Sequence, residues 1–225
     1  MSGTYVWQEQ LYDVTGFEIT GLRTTLPPAA LAGLAGVAGP DLISRVNNNA
    51  DTYTVRVDSW LLPFLNVYGI LGTVEGEVDV TVGAPFAHEL VVPYDGLVYG
   101  GGAVLAVGYK NIFLLNNFSF TITDLDRGGS VNTWIWAPTL GFNKGKLSLW
   151  TGPTYQNTDR KESGSFDVTF LGQPLGVDYD IQLTEENNWN YSVGGRWDFD
   201  ENWALILEGG FGDRKQALVS VKRTF

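Results

Sequence analysis

The chain has 225 residues, no cysteine, 13% aromatic and only 17% charged residues, and a net charge of −11 with a pI of about 4.4. The missing cysteines exclude a disulfide framework and a thiolate metal site, and the missing basic patch argues against a nucleic-acid partner. A charged fraction well below the roughly 25% of soluble domains, with 28 glycines and 8 tryptophans, fits neither a disordered chain nor an average enzyme domain.

No run of 18 apolar residues occurs, so no transmembrane helix is expected. Membrane-spanning strands carry a weaker signal and stay open as a reading. The start, Met1-Ser2-Gly3, lacks the basic-then-apolar order of a signal peptide, so an exported form is expected to begin after processing.

In chain order, a first strand is expected within 4–20. The segment LPPAALAGLAGVAGPDLISRV (26–46) opens on Pro27-Pro28 and is rich in Ala and Leu. It predicts one or two short helices, weakened at Gly33, Gly36, Gly39 and Pro40, that form a helical loop or a plug. Period-2 alternation then predicts strands. Over 53–61, Tyr53, Val55, Val57 and Leu61 oppose Thr54, Arg56, Asp58 and Trp60. Over 74–82, Val74, Val78, Val80 and Val82 oppose Glu75, Glu77, Asp79 and Thr81.

Segments 97–109 and 112–124 alternate about a turn at Lys110-Asn111. Segments 132–142 and 147–157 do so about Asn143–Lys146, with Trp134, Trp136, Leu140 and Phe142 on one face. The pair 189–199 and 203–211 flanks Asp200-Glu201-Asn202, with Trp189, Trp197, Phe199 and Trp203 on one face and Arg196 and Glu208 opposite. A last strand covers 216–225. This makes ten strands. The pieces 165–170 and 177–183 alternate well enough to pair, and counting them as separate spans gives twelve.

Short connections (62–66, 110–111, 143–146, 200–202) alternate with connections that are mostly longer (21–51, 83–96, 125–130, 159–186, 212–215). That order fits a single antiparallel, up-and-down transmembrane β-barrel over 1–225. Three features favour the membrane over a soluble barrel. Aromatics cluster near strand ends, as in interfacial belts. The opposite faces mix charges with Gly, Ser, Thr and Asn, as in a wet lumen. Strands of about ten residues suffice to cross when tilted.

The C-terminal stretch ALVSVKRTF, with Ala217, Val219 and Val221 alternating before Phe225, resembles the last strand of bacterial outer-membrane β-barrel proteins. Arg223 stands where another apolar residue is common in that class. The resemblance implies a lipid bilayer or detergent as environment, an outer-membrane location and recognition of Phe225 by the assembly machinery. The patterning is similar to small barrels of the outer-membrane protein A and W kinds, from whose eight strands this chain departs.

Candidate lumen residues are Arg56, Asp58, Glu75, Glu77, Asp79, Arg196 and Glu208; the spacing of the three acids at 75, 77 and 79 puts them on one face. Candidate lipid-interface aromatics are Trp134, Trp136, Trp189, Trp197, Phe199 and Trp203. The lone histidine, His88, beside Glu89, is expected in a solvated loop, and no nucleophile elbow accompanies it. DLDRGGS (124–130) lacks the late bidentate Glu of a calcium loop. No cofactor, metal or catalysis is therefore expected. The expected function is a channel or passive transporter with a narrow, partly acidic lumen for a small polar or cationic solute. The alternatives are a closed structural or adhesive barrel and a soluble ligand-binding barrel.

Overall fold

A computed structural model describes residues 1–24, 43–82, 88–126, 129–170, 173–185 and 187–225. Its strands are β1 (Ser2–Thr24), β2 (Ile43–Leu62), β3 (Leu65–Val82), β4 (His88–Tyr109), β5 (Ile112–Leu125), β6 (Ser130–Lys144), β7 (Leu147–Phe170), β8 (Gln173–Glu185), β9 (Trp189–Asp198), β10 (Trp203–Phe211) and β11 (Arg214–Arg223). All pairings are antiparallel. Neighbours run from β1 in sequence order to β7, then through β9, β10 and β11 back to β1. The result is a closed barrel of ten strands. Closure leaves no unpaired sheet edge, which a membrane interior requires.

Two of the tight turns at the short-connection end are formed by residues with positive φ, Lys110 at 56° and Gly145 at 62°. Both chain ends lie at this end, because Ser2 pairs with Lys222. The opposite, long-connection end holds the connections from β1 to β2, β3 to β4 and β5 to β6, of which 25–42, 83–87 and 127–128 lie outside the described residues.

Outward positions form one apolar band. Val55, Val57, Leu71, Val107, Leu114, Leu140, Leu149, Val193, Leu207 and Val219 all stand exposed. Water-soluble monomers seldom expose apolar patches beyond a few hundred Å², so the band is the lipid-facing surface of a transmembrane barrel. Aromatics rim it on both sides. Toward the long-connection end, Phe118 stacks on Trp136 at 6.2 Å, and Trp136 and Tyr155 both meet Trp189 edge-on. Trp134 packs on Phe120 at 4.6 Å. At the other rim Trp197 meets Phe199 at 4.9 Å, and the Arg223 guanidinium lies between Trp203 and Phe225, at 5.3 and 4.7 Å from their ring centroids.

Above the band the pattern inverts. Here the outer face meets water, so Glu75 and Glu77 point out and are exposed. Val46, Val74, Val78 and Val98 are buried inside, as are Leu175 and Val177. The same strand therefore reads apolar-out below and apolar-in above. This corrects the expected acidic wall: Glu75, Glu77 and Asp79 share the outward face of β3 with Leu71, while Tyr68, Val74 and Val78 hold the inward face. The strand expected at 74–82 is the upper half of a longer one.

The pieces at 165–170 and 177–183 are not extra spans. Phe166 pairs with Val177 and Val168 with Leu175, so they extend β7 and β8 beyond the band. β8 and β9 act as one long partner of β7 with a slip between them. Tyr155 faces Trp189; continued unbroken, that ladder would set Arg160 opposite Thr184, but Arg160 faces Leu183. β8 also pairs with the upper half of β1, from Tyr12↔Glu185 to Thr24↔Leu175. Between β7 and β1 the wall is thus three strands (β9, β10, β11) in the band and one (β8) above it. The short β10–β11 hairpin ends beneath the fork where β1 leaves β11 for β8.

Among the described residues there is no helix. Of the segment expected to be helical, 43–46 opens β2 and 26–42 lies outside the described residues.

Candidate functional site

Among the described residues, inward side chains enclose two chambers that meet at a waist. The chamber toward the long-connection end measures about 400 Å³ and the one toward the short turns about 780 Å³. Thr4, Arg56, Asn117, Ala137, Ser192, Glu208 and Leu218 line both, and so mark the waist.

Three waist side chains, Arg56, Asn117 and Glu208, are held by neighbours. The Arg56 guanidinium lies 3.5 Å from the centre of the Tyr68 ring and donates from Nη2 to Asn66 Oδ1 at 3.2 Å. Tyr68 O–H donates to Asn117 Oδ1 at 2.7 Å, tying β3 to β5 over Gly102 of the intervening β4. On the facing wall Trp150 Nε1 donates to Glu208 Oε2 at 2.7 Å. The indole reaches Glu208 because it lies flat over Gly194, where an added Cβ would fall 2.5 Å from the ring. A partly buried carboxylate needs such donors to stay charged.

Below the waist the charges pair off. Asp58 accepts from Lys222 Nζ at 3.3 Å and from Asn66 Nδ2 at 3.2 Å, and its Oδ1 lies 3.6 Å from the N-terminal ammonium. Arg196 donates from Nε and Nη2 to Asp198 Oδ1 at 2.9 and 2.6 Å. The lower chamber wall therefore carries Arg56, Arg196 and Lys222 against Asp58, Asp198 and Glu208. Among the described residues, the upper chamber wall carries only Arg56 and Glu208 as charges. The rest of its surface is hydroxyl, amide and aliphatic groups together with the rings of Tyr12, Tyr68 and Tyr94, with threonines at 4, 52, 54, 121, 123, 133, 154 and 158.

Of the residues singled out in the sequence, Arg56, Asp58, Arg196 and Glu208 lie on this wall. Glu75, Glu77 and Asp79 lie outside it, which removes the acidic character expected of the lumen. The aromatics Trp134, Trp136, Trp189, Trp197, Phe199 and Trp203 are all exposed on the outer surface. Phe225 ends the chain beside Arg223, largely exposed. Sequence reasoning missed Tyr68, Asn117 and Asn66. The first and last sit in the glycine-interrupted stretch 65–73, which shows no clean alternation. Trp150 is legible as inward from its parity with Ser148, but its bond to Glu208 is not.

At the long-connection end, Asp124 accepts from Tyr99 O–H at 3.2 Å. Asp126, in the following turn, shares a hydrogen bond with Asp95, and that neighbouring carboxylate pushes its pKa up. Among the described residues no three His, Cys, Asp or Glu side chains are grouped to hold a metal ion. His88 opens β4.

No protein-family profile matches the chain, and no curated protein matches it in sequence. In fold it is similar to an outer-membrane channel from Pseudomonas putida F1, at 12% identity and a TM-score of 0.43, covering 100% of this chain and 94% of that one. It is similar to the transport unit of the autotransporter AIDA-I from Escherichia coli, at 9% identity and a TM-score of 0.47, covering 100% and 90%. The β domain of the Bordetella autotransporter BrkA matches at 11% identity and a TM-score of 0.44, covering 100% and 99%.

Proposed function

We propose that this barrel is a passive channel of a bacterial outer membrane for small neutral or zwitterionic polar solutes. The location draws on the lipid-facing band and the segregation of long and short connections at opposite ends. The solute class draws on one observation, the balanced charge of the interior wall. A ring of one sign would favour ions of the other. Here three cations and three anions of the lower wall largely neutralise each other, and the upper wall offers hydroxyls, amides and methyls. Neutral solutes with both polar and apolar surface match such a wall, and no cation preference follows from it.

Ten strands enclose little space, since eight already fill with side chains. The Arg56–Tyr68–Asn117 contact occupies part of what remains. Tyr68→Ala removes that ring without touching a charge pair. In proteoliposomes the variant is expected to admit glycerol several-fold faster than the parent barrel, with little change for potassium ions. Folded protein giving no glycerol swelling in either form contradicts the channel reading.

The competing reading is a closed structural barrel. The packed polar residues at the long-connection end favour it: Gln10, Asn48, Gln156, Thr158, Glu185, Asn190 and Arg214 are all buried. Swelling separates the two.

A further inference from the structure

The fork where the wall changes from three strands to one carries groups that the barrel itself leaves unmet. Arg214 begins β11 just past the β10–β11 turn, faces Gln10 across the ladder and is 1% exposed. None of its Nε, Nη1 and Nη2 atoms has a hydrogen-bond partner among the described residues. Asn190 is 2% exposed, and its buried Oδ1 also lacks a partner. Asn190 lies beneath Gly212, the turn residue two before Arg214, and its Oδ1 is the atom nearest the space where a Cβ on Gly212 would sit. The fork thus brings an unmet donor fork and an unmet acceptor to one place.

Glu185, the residue that replaces β11 beside β1, supplies the opposite charge. Its carboxylate is already satisfied without Arg214. Oε1 accepts from Gln156 Nε2 at 2.9 Å and Thr158 Oγ1 at 2.7 Å, and Oε2 accepts from Asn188 Nδ2 at 3.0 Å. Buried polar groups are nearly always paired, and a guanidinium with five idle N–H donors departs far from that rule. Asn190, Gln156 and Thr158 line the upper chamber, as does Gln216, the next inward residue of β11 after Arg214. Arg214 itself lines neither chamber, so a solute there reaches its guanidinium only by displacing these side chains.

We infer that this corner is a binding subsite for a small zwitterionic amino acid. The carboxylate takes the planar donor fork of Arg214, which matches it bidentately. The ammonium donates to Asn190 Oδ1. Together the two ends meet both orphaned groups and leave the corner neutral. A simple anion would meet Arg214 but not Asn190, and would face Glu185. A simple ammonium would leave the guanidinium unmet. The inference rests on the reading of the interior as a solute path, and it names the solute class that path takes.

Calorimetric titration of the folded barrel in detergent with glycine, acetate and methylamine tests it. Glycine is expected to bind saturably, with acetate and methylamine at least about tenfold weaker, the scale of a lost charge-assisted hydrogen bond. Arg214→Gln is expected to abolish glycine binding and Arg214→Lys to weaken it. Both should keep heat-modifiable gel migration, because each removes or shrinks a buried unpaired cation. Asn190→Leu should weaken glycine toward the acetate level. Absence of saturable glycine binding, which would mean that water alone meets the guanidinium, overturns the inference. So does glycine binding that survives Arg214→Gln unchanged. Because the readout is binding in detergent, a barrel that binds glycine but admits no glycerol would refute only the channel.

Discussion

Leu207→Arg is expected to lower the unfolding free energy of the barrel in lipid vesicles by about 2–4 kcal/mol. Leu207 lies outward at the middle of β10, between the rim residues Trp203 and Phe211, and is half exposed. Its neighbours across the ladder are Gly195 and Val219, which offer no partner for a cation. At that depth a guanidinium must either stay desolvated or drag water and headgroups inward. Glu77→Lys, also a charge change on an outward position, should stay within about 0.5 kcal/mol, because Glu77 stands above the band in water. Guanidinium-chloride titration in vesicles measures both. Equal effects would place the lipid boundary elsewhere and undo the account of the inverted hydropathy on β3.

The second large effect lies inside. Asp58→Ala is expected to destabilise the barrel by about 3–5 kcal/mol, the range for removing one partner of a buried pair. The Asp58 side chain is 7% exposed, and it joins Lys222, Asn66 and the N-terminal ammonium at the seam where β1 closes on β11. Its loss leaves Lys222 and Arg56 as uncompensated cations in a partly desolvated space. Lys222→Met should restore a good part of the loss when combined with Asp58→Ala. A strictly additive double variant would show that the pair is not coupled, and that the lower wall is braced in some other way.

Much of the barrel was legible because period-2 alternation survives where a strand runs wholly through lipid. The hairpins 97–124, 132–157 and 189–211 show this, with Trp134, Trp136, Trp197 and Trp203 marking the rims. Alternation alone could not tell where a strand leaves the membrane. At Val74-Glu75 the apolar face passes from outside to inside, because the outer solvent changes from lipid to water. An inward reading of Glu75, Glu77 and Asp79 followed from missing that passage. The stretch 65–73 hid half of β3, because Gly69 interrupts its outward apolar face while Tyr68 and Ile70 put large side chains on the inward one. Lys222 meeting Asp58 and Arg56 lying on Tyr68 depend on barrel closure and on strand register. Neither leaves a local signal. The one-residue slip that makes β8 and β9 a single partner of β7 is equally silent, and with it the fork that isolates Arg214.

Single-channel recording in planar bilayers, with a potassium chloride gradient across the membrane, tests the central claim most directly. Folded, inserted protein is expected to give small discrete conductance steps with a reversal potential near zero, as a waist shared by Arg56 and Glu208 above a charge-balanced wall requires. Inserted protein that gives no steps, or steps that strongly select cations, would contradict the account.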